Sequence, residues 1–370
     1  MIGQGTVKFI LLTLTLVFSS FVSLADTTNK KDELELGKEF DINGLIMHHI
    51  KDAHEIHLWG GEYDGTSIYL PIILLDDGVK TFSSKNFYHG ELKTTTDIKT
   101  GAEVDYVSGV GTAAGYALFH EKIYKLDNGE LHIEEGHPHN EKAMSVSMTK
   151  NVIVLFLISI ILCLVAFGTA RHYKKNGAVA PKGISKFIEP LVIFIRDDVA
   201  KETIGEHKYM KYTPYILTIF FFILIGNLIG LLPLLGANFT GNITVTFFLA
   251  VCTMLVTLFS GNKNYWKHIF ATPGVPKPLL IIMMPIEVVG IFTKPFALMI
   301  RLFANMTAGH VIILAFIGII FINKNMAWGA LSVPMALFIS VLEILVAFLQ
   351  AYLFAILSGL FIGAAVEEVH

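Results

Sequence analysis

The chain has 370 residues, of which 53% are hydrophobic and 16% charged, with a mean hydropathy of +0.60. This balance excludes a disordered, collagen-like or coiled-coil protein. The net charge of −3 conceals an asymmetry, because residues 26–150 hold 12 Lys and Arg against 22 Asp and Glu, whereas residues 151–370 hold 15 against 9. Two differently solvated parts are therefore expected to join near residue 150. Both cysteines fall in apolar runs, which argues against a disulfide framework or redox chemistry.

The first 25 residues have the order of a secretory signal peptide. Lys8 precedes the apolar run 9–18, and the small-residue sequence at 23–25 offers a cleavage site. The apolar run is short for a membrane span. We predict cleavage after residue 25, with an uncleaved anchor as the alternative, and in both cases residues 26–148 are expected outside the cytoplasm.

Residues 26–148 are predicted to form a small extracytoplasmic domain that is mostly β. Short β-rich runs such as 66–75 alternate with turn signals at 76–78 and 127–129.

This domain is rich in histidine, with nine of the 14 histidines of the chain. His54 and His57 could share one face of a helix, so they are weak candidates for metal ligands. They lack the HExxH spacing of a zinc protease and any accompanying ligand quartet. A solvated or interface cluster is therefore favoured, and no cofactor is predicted. The other histidines of interest are His48, His49, His132, His137 and His139.

The second part, residues 149–370, is predicted to be a membrane domain. Residues 151–170 carry no charge and would form a helix of about 30 Å, the thickness of the hydrocarbon core. Further spans are predicted at 213–235 and 242–260. The intervening region 171–211 holds nine Lys and Arg, which places it in the cytoplasm. Within it, hydrophobic residues at helical spacing predict an amphipathic interfacial helix at 183–199.

The last third contains two apolar segments that are too long for upright spans. Residues 279–322 and 329–366 would form helices of about 66 Å and 57 Å, against a hydrocarbon core of about 30 Å. They are expected to be strongly inclined, broken at prolines, or partly on the surface, and inclination implies a broad protein partner in the membrane. The fold class is thus an all-α membrane protein of about five spans with a small β-rich N-terminal domain and a cytoplasmic C-terminus.

These two segments carry ionisable residues. Arg301 lies about 20 residues from either end of its segment and could not snorkel out of an upright helix. Glu287, Lys294 and Arg301 recur every seven residues and share a helix face, whereas His310 lies on the opposite side. Intramembrane charges usually mark function, and the alternative for Arg301 is a structural salt bridge with Glu287 or Glu343.

The sequence RLFANMTAGH at 301–310, with TKP at 293–295 and LQAY at 349–352, closely resembles subunit a of the membrane sector of F-type ATP synthases. The resemblance covers residues 185–370 and includes NLIGLLP at 227–233. It implies a subunit of the cell inner membrane that has no catalytic site of its own and that conducts protons through two half-channels against a rotating ring of c subunits. The implied partners are this ring, the peripheral-stalk subunit b, the remaining synthase subunits and the lipid bilayer, with no nucleic acid.

The resemblance also implies roles for individual residues. Arg301 would attract each ring carboxylate into its ionised form and block direct passage of protons between the half-channels. His310, Glu343, Asn305 and Gln350 would line the outer half-channel. Glu287 is assigned to the inner half-channel.

His310 and Glu343 are exchanged relative to many bacterial members of the family, which have Glu at the first position and His at the second. The exchange predicts that the two side chains are neighbours on one proton pathway.

Two other classes of function remain open from the sequence. An ion-coupled secondary transporter would also need charges at the bilayer midplane, but it should show internal repeats, and no second copy of the 301–310 motif is present. A membrane-anchored metalloenzyme would depend on the histidine-rich domain. The coupling ion, H⁺ or Na⁺, is left open as well.

Overall fold

The computed structural model describes residues 52–59, 66–76, 78–177, 183, 185–231, 239–270, 276–323 and 326–367. The chain divides into two compact units, the first extending through Val154 and the second beginning at Leu155. The predicted signal peptide and its cleavage site lie outside the described residues, as do His48 and His49.

The first unit is rich in antiparallel strands, which confirms the predicted β-rich domain. Its largest sheet is a four-stranded meander, β5-β6-β7-β8, and three two-stranded sheets pair β1 with β2, β3 with β4 and β9 with β10. The strands are β1 (Glu55–Trp59), β2 (Thr66–Tyr69), β3 (Pro71–Leu75), β4 (Val79–Ser83), β5 (Glu91–Thr96), β6 (Glu103–Ser108), β7 (Tyr116–Phe119), β8 (Lys122–Lys125), β9 (Ile133–Glu134) and β10 (His137–Pro138), with one short helix, α1 (Lys85–Tyr88).

Alternation of buried and exposed side chains fixes the faces of these strands. In β3, Ile72 and Leu74 are fully buried while their neighbours point outward, as expected for a half-buried strand. They pack with Phe87 of α1 in one core cluster. A second cluster includes Leu131 and Ile133 and holds the β9–β10 hairpin against the meander.

The helix proposed to bring His54 and His57 together does not form. His57 lies in β1, paired with Ser67, and His54 directly precedes this strand. Residues three apart in an extended chain are separated by about 10 Å and project to opposite sides. The helical argument for a metal site at these two histidines is therefore wrong.

Among the residues that the structure describes, five helices are long and apolar enough to cross a membrane, which confirms the predicted fold class. They are α2 (Lys150–Asn176), α4 (Tyr209–Gly230), α5 (Ile243–Ser260), α7 (Lys277–Ile322) and α8 (Gly329–Val366). Helix α4 stops at Gly230, before the predicted end at 235. Glycine disfavours helix continuation, and Pro233 follows shortly after it in the sequence.

The two long helices run through their prolines without a break. Helix α7 has 46 residues and contains Pro285 and Pro295, and α8 has 38 residues and contains Pro334. Their lengths are about 69 Å and 57 Å. Because neither helix is interrupted, strong inclination or an extension along the surface has to absorb the mismatch with the bilayer.

Two helices of ten and eight residues also belong to the described part of the second unit. Helix α3 (Ser185–Phe194) lies within the predicted amphipathic segment and continues into a π-helical turn at Ile195–Lys201. Arg196 in this turn binds Asp197 through two hydrogen bonds of 2.7 Å. Helix α6 (Lys263–Phe270) precedes α7.

The C-terminal end of α8 is held by two residues from other segments. Lys208 Nζ and Asn262 Nδ2 donate hydrogen bonds to the carbonyl oxygen of Val366 over 2.8 Å and 2.9 Å, and the Asn262 amide donates to Ala365. A cation at a helix C-terminus also complements the helix dipole. These contacts fix the position of α8 along its axis.

Candidate functional site

Helices α7 and α8 pack against each other and carry most of the residues singled out in the sequence. Leu298, Met299, Leu302 and Met306 form the buried side of α7, whereas Ile300, Arg301, Ala304 and Asn305 are exposed. The exposed side of the pair is strongly apolar, with Phe296 and Leu345 each about three-fifths exposed. The site is thus built on one packed face and one open face.

Arg301 and Asn305 lie on the open face of α7, one helical turn apart. Arg301 takes part in none of the ion pairs formed between described residues, so the salt bridge with Glu287 or Glu343 is not formed there. An unpaired charge at the centre of a bilayer costs at least about 2.5–3.5 kcal/mol. Arg301 is therefore a cation on the exposed side of the helix pair, without an ion-pair partner among the described residues.

Glu343 of α8 points the other way, into the contact with α7. Its side chain is only 8% exposed, and it packs directly on Gly309. A β-carbon at Gly309 would overlap Glu343 Oε1 and would lie 3.0 Å from its Cδ. The missing side chain of Gly309 is what admits the carboxyl group.

The neighbourhood of this carboxyl group is polar and incompletely hydrogen-bonded. Thr307 Oγ1 and Glu343 Oε1 are buried, and neither has a hydrogen-bond partner among the described residues. His310 follows Gly309 and is half-buried. A buried polar atom without a partner costs about 1–3 kcal/mol, and such an atom calls for a functional explanation.

Gln350 lies two turns beyond Glu343 on α8 and is also buried, at 4% exposure. The turn between them is held by Asn227 of α4, which is fully buried. Asn227 Nδ2 donates to the Ala347 carbonyl over 3.3 Å, and Thr240 Oγ1 donates to Asn227 Oδ1 over 2.7 Å. Asn227 is a positioning residue that the sequence argument did not single out. A polar amide within an apolar span could have indicated its buried hydrogen-bonding role.

Glu287 and Lys294 occupy a different environment from Arg301 even though the three recur every seven residues. Glu287 is half-buried and lies close enough to Tyr265 of α6 that its charge, after the larger effect of burial, raises the pKa of that phenol. Lys294 Nζ lies 5.9 Å from the centroid of the Phe361 ring, a cation–π contact with α8. Lys294 thus has a protein partner.

Comparison with known proteins divides the chain at the same place as the structure. Residues 152–363 match the family model described as ATP synthase A chain, and residues 45–146 match a model described as a domain of unknown function. ATP synthase subunit a 2 of Chlorobaculum tepidum is 51% identical over 245 residues, which cover 64% of this chain and 67% of that protein. ATP synthase subunit a of Chloroherpeton thalassium is 51% identical over 60% of this chain and 68% of its own length. ATP synthase subunit a 2 of Prosthecochloris aestuarii is 45% identical over 70% of this chain and 82% of its own.

Proposed function

Because the chain belongs to the ATP synthase A chain family, we propose that it is the proton-conducting stator subunit of the membrane sector of an F-type ATP synthase. The subunit carries two offset half-channels and couples proton flow to rotation of a ring of c subunits, and so to ATP synthesis. It contributes no catalytic site for the chemistry of ATP.

The observation that carries this proposal is the position of Arg301. It stands on the open face at the middle of a 46-residue apolar helix, without an ion-pair partner among the described residues. A guanidinium stays charged at any relevant pH. A carboxylate of the ring that passes this face is drawn into its ionised form and gives up its proton. Protons cannot pass the fixed positive charge directly, so rotation is their only low-energy route.

The packed side of the helix pair supports the assignment of the outer half-channel. Glu343, buried on Gly309, and His310, the residue after Gly309, are the proton-exchanging groups. Gln350 on the packed side and Asn305 on the open face are further polar lining. Histidine is the side chain that titrates most readily near neutral pH. Glu287 serves the inner half-channel.

The open face of α7 and α8 is the surface for the ring, since it joins a strip of exposed apolar side chains to the charge of Arg301. The other partners are the peripheral-stalk subunit b, the remaining synthase subunits and the bilayer. The location is the cell inner membrane, with residues 26–148 outside the cytoplasm.

The orientation gives a direct test. The five candidate spans, taken with an outside start, support a cytoplasmic C-terminus at His370. A reporter that is active only in the cytoplasm should be active when fused after His370, and one that is active only outside should be silent. The reverse result would contradict the orientation.

The central experiment replaces Arg301 by alanine in the assembled synthase. Arg301→Ala should abolish ATP-driven proton pumping in inverted vesicles, a loss of more than 100-fold, while the subunit remains inserted and assembled. It should also open a passive proton leak once the soluble motor is removed. Arg301→Lys should fail as well, because lysine loses the planar guanidinium and deprotonates more easily when buried.

Lys294→Ala is the matched control. It removes a cation from the same helix, but this cation already has a protein partner, the ring of Phe361. It should retain coupled pumping. Coupled pumping by assembled Arg301→Ala would exclude the proposed mechanism, because a merely structural arginine affects folding or assembly and leaves any assembled enzyme coupled.

A further inference from the structure

The β9–β10 hairpin of the N-terminal domain collects metal-ligating residue types on one face. His137 is paired with Glu134, and the His139 amide donates to the His132 carbonyl over 2.8 Å. Ile133, which lies between His132 and Glu134, is fully buried. Because side chains alternate along a strand and paired residues share a face, His132, Glu134, His137 and His139 all project from the outer face of the hairpin.

The backbone beneath this face is held rigidly at its turn. Glu135 and Gly136 have φ angles of 51° and 76°, both in the left-handed region, as a two-residue type I′ turn requires. The buried Asp97 carboxylate accepts hydrogen bonds from the amides of Glu135 and Gly136 at 3.2 Å and 2.6 Å. It also accepts from the amides of Lys99 and Thr100, each at 2.9 Å. The turn is thereby fixed to a second segment of the chain.

The open end of the hairpin is fixed as well. Asn140 Oδ1 accepts a hydrogen bond from the His132 amide over 2.7 Å, and Asn140 Nδ2 donates to Asp127 and to the Glu130 carbonyl. The spacing of the four outward residues is therefore set by the backbone before any ligand binds, which lowers the entropic cost of binding.

One half of the set is already in contact. His139 Nε2 lies 2.6 Å from Glu134 Oε2, and Lys99 Nζ lies 2.8 Å from Glu134 Oε1. Both oxygens of the Glu134 carboxyl group are thus held by contacts with neighbouring side chains.

We propose that His132, His137, His139 and Glu134 form a binding site for a divalent transition-metal ion of the Zn²⁺ class on the outer face of the hairpin. Three imidazoles and one carboxylate are a donor set suited to Zn²⁺, Ni²⁺ or Cu²⁺, whereas Mg²⁺ and Ca²⁺ require mainly oxygen ligands. Four protein ligands around Zn²⁺ are typical of a structural site. Neither the position in the hairpin nor the ligand set depends on the function proposed for the membrane domain.

Binding requires rotation of side chains and leaves the backbone unchanged. Among the residues that the structure describes, no group of three or more His, Cys, Asp or Glu side chains is arranged to hold a metal ion as it stands. His132, His137 and His139 are all exposed, so their rings have room to turn, and His139 would give up its present contact with Glu134 on turning. Paired residues in an antiparallel ladder lie about 5.5 Å apart, and successive residues of one face about 7 Å apart. A single ion above the centre of this rectangle is within reach of side chains from both strands.

The test measures Zn²⁺ binding to the full chain in detergent by isothermal titration calorimetry. The wild-type chain should bind Zn²⁺ and should show no response to Mg²⁺ at the same concentration. The double variant His132→Ala with His139→Ala should lower the Zn²⁺ affinity at least 100-fold, and Glu134→Gln about tenfold.

The matched control is His48→Ala with His49→Ala, which removes two histidines of the same domain from a different segment. This variant should bind Zn²⁺ like the wild type. Without metal, the thermal unfolding of each variant should match that of the wild type. This measurement separates a loss of metal ligands from a loss of the fold. If the double alanine variant does not fold, Glu134→Gln still tests the proposal. Equal Zn²⁺ affinity of the wild-type chain and both hairpin variants would overturn the proposal, as would no measurable Zn²⁺ binding by the wild type.

Discussion

Lys125 and Asp97 of the N-terminal domain lie against partners, whereas Arg301 and Glu343 near the centre of α7 and α8 join no ion pair among the described residues. Lys125 binds Asp76 and Glu141, and Asp97 accepts four backbone amides. Between the described residues of the membrane unit, neither Arg301 nor Glu343 joins an ion pair. This is the reverse of what solvation alone would favour. An unpaired charge costs far more free energy in lipid than in water.

The difference separates charges that hold a fold from charges that are available for chemistry. In the domain, hydrogen bonds from Lys125 and Tyr116 hold the pKa of Asp76 below its ordinary value, and backbone amides do the same for Asp97. These groups stay ionised and stabilise turns and strand contacts. Glu343 joins no ion pair between the described residues, which is the condition that the proposed proton exchange requires. Unpaired groups that persist at such cost are expected to be functional.

The comparison is tested most strongly at the exchanged pair, His310 and Glu343. Replacing either residue by leucine should lower ATP-driven proton pumping at least tenfold, because each is required to hold a proton on the same path. The double swap, His310→Glu with Glu343→His, should recover a substantial part of the flux, since it restores one acid and one imidazole at the two exchanged positions. Pumping is measured by fluorescence quenching in inverted vesicles at equal content of assembled synthase.

The control for this pair is Ser340→Ala, which removes a hydroxyl group about one helical turn from Glu343. The Ser340 hydroxyl donates its hydrogen bond to the Ala336 carbonyl of the same helix. It should pump like the wild type. If the swapped protein pumps no better than the worse single variant, the two residues are not partners on one path.

The sequence predicts the elements of this molecule better than the contacts between them. A run of 20 uncharged residues identifies α2 because hydrocarbon thickness dictates its length. The error at His54 and His57 arose because spacing of i and i+3 assumes a helical period. Residues 55–59, Glu-Ile-His-Leu-Trp, instead alternate with the period of two that is typical of a strand.

Contacts between helices could be predicted from the sequence only in part. Motif residues such as Arg301 stand out because a charge within an apolar run is costly wherever the helix packs. The seating of Glu343 on Gly309 depends on the axial register of α7 against α8, which no local pattern encodes. The hydrogen bond from Asn227 to Ala347 likewise joins residues 120 positions apart.

A smaller effect on pumping is expected at Gly309, where a substitution tests the packing of Glu343 in the membrane unit. Gly309→Ala should displace the Glu343 carboxyl, because the new β-carbon would overlap Oε1. Backbone packing between α7 and α8 limits how far the helices can separate, so the side chain has to turn. Proton pumping should fall several-fold, by less than on removal of the carboxyl itself.

Gly290→Ala is the matched control on the same helix, since a β-carbon there meets no atom within 4 Å. It should leave pumping unchanged and should stabilise the helix by up to about 1 kcal/mol. Equal effects of the two substitutions would show that helix propensity, and not the seating of Glu343, determines the result.

The smallest effect is expected in the domain, at Asp97. Its pKa lies well below the ordinary value because the amides of Thr100 and Gly136 donate to its carboxylate. A carboxyl whose folded pKa is depressed contributes stability above its unfolded pKa of about 3.9, and the contribution is lost as pH falls from there through the folded value. Asp97→Asn keeps the shape and removes the charge. It should therefore lower the melting temperature of the domain by several degrees at pH 7, and the difference from the wild type should shrink steadily below about pH 4. Scanning calorimetry of the full chain in detergent at a series of pH values measures both quantities.

Asp105→Asn, at an exposed carboxylate on β6 whose partner is the Thr94 hydroxyl, is the control and should shift the transition much less. A difference between Asp97→Asn and the wild type that persisted unchanged to pH 2 would mean that the charge of Asp97 does not hold the turn, and that the geometry of its hydrogen bonds alone does so.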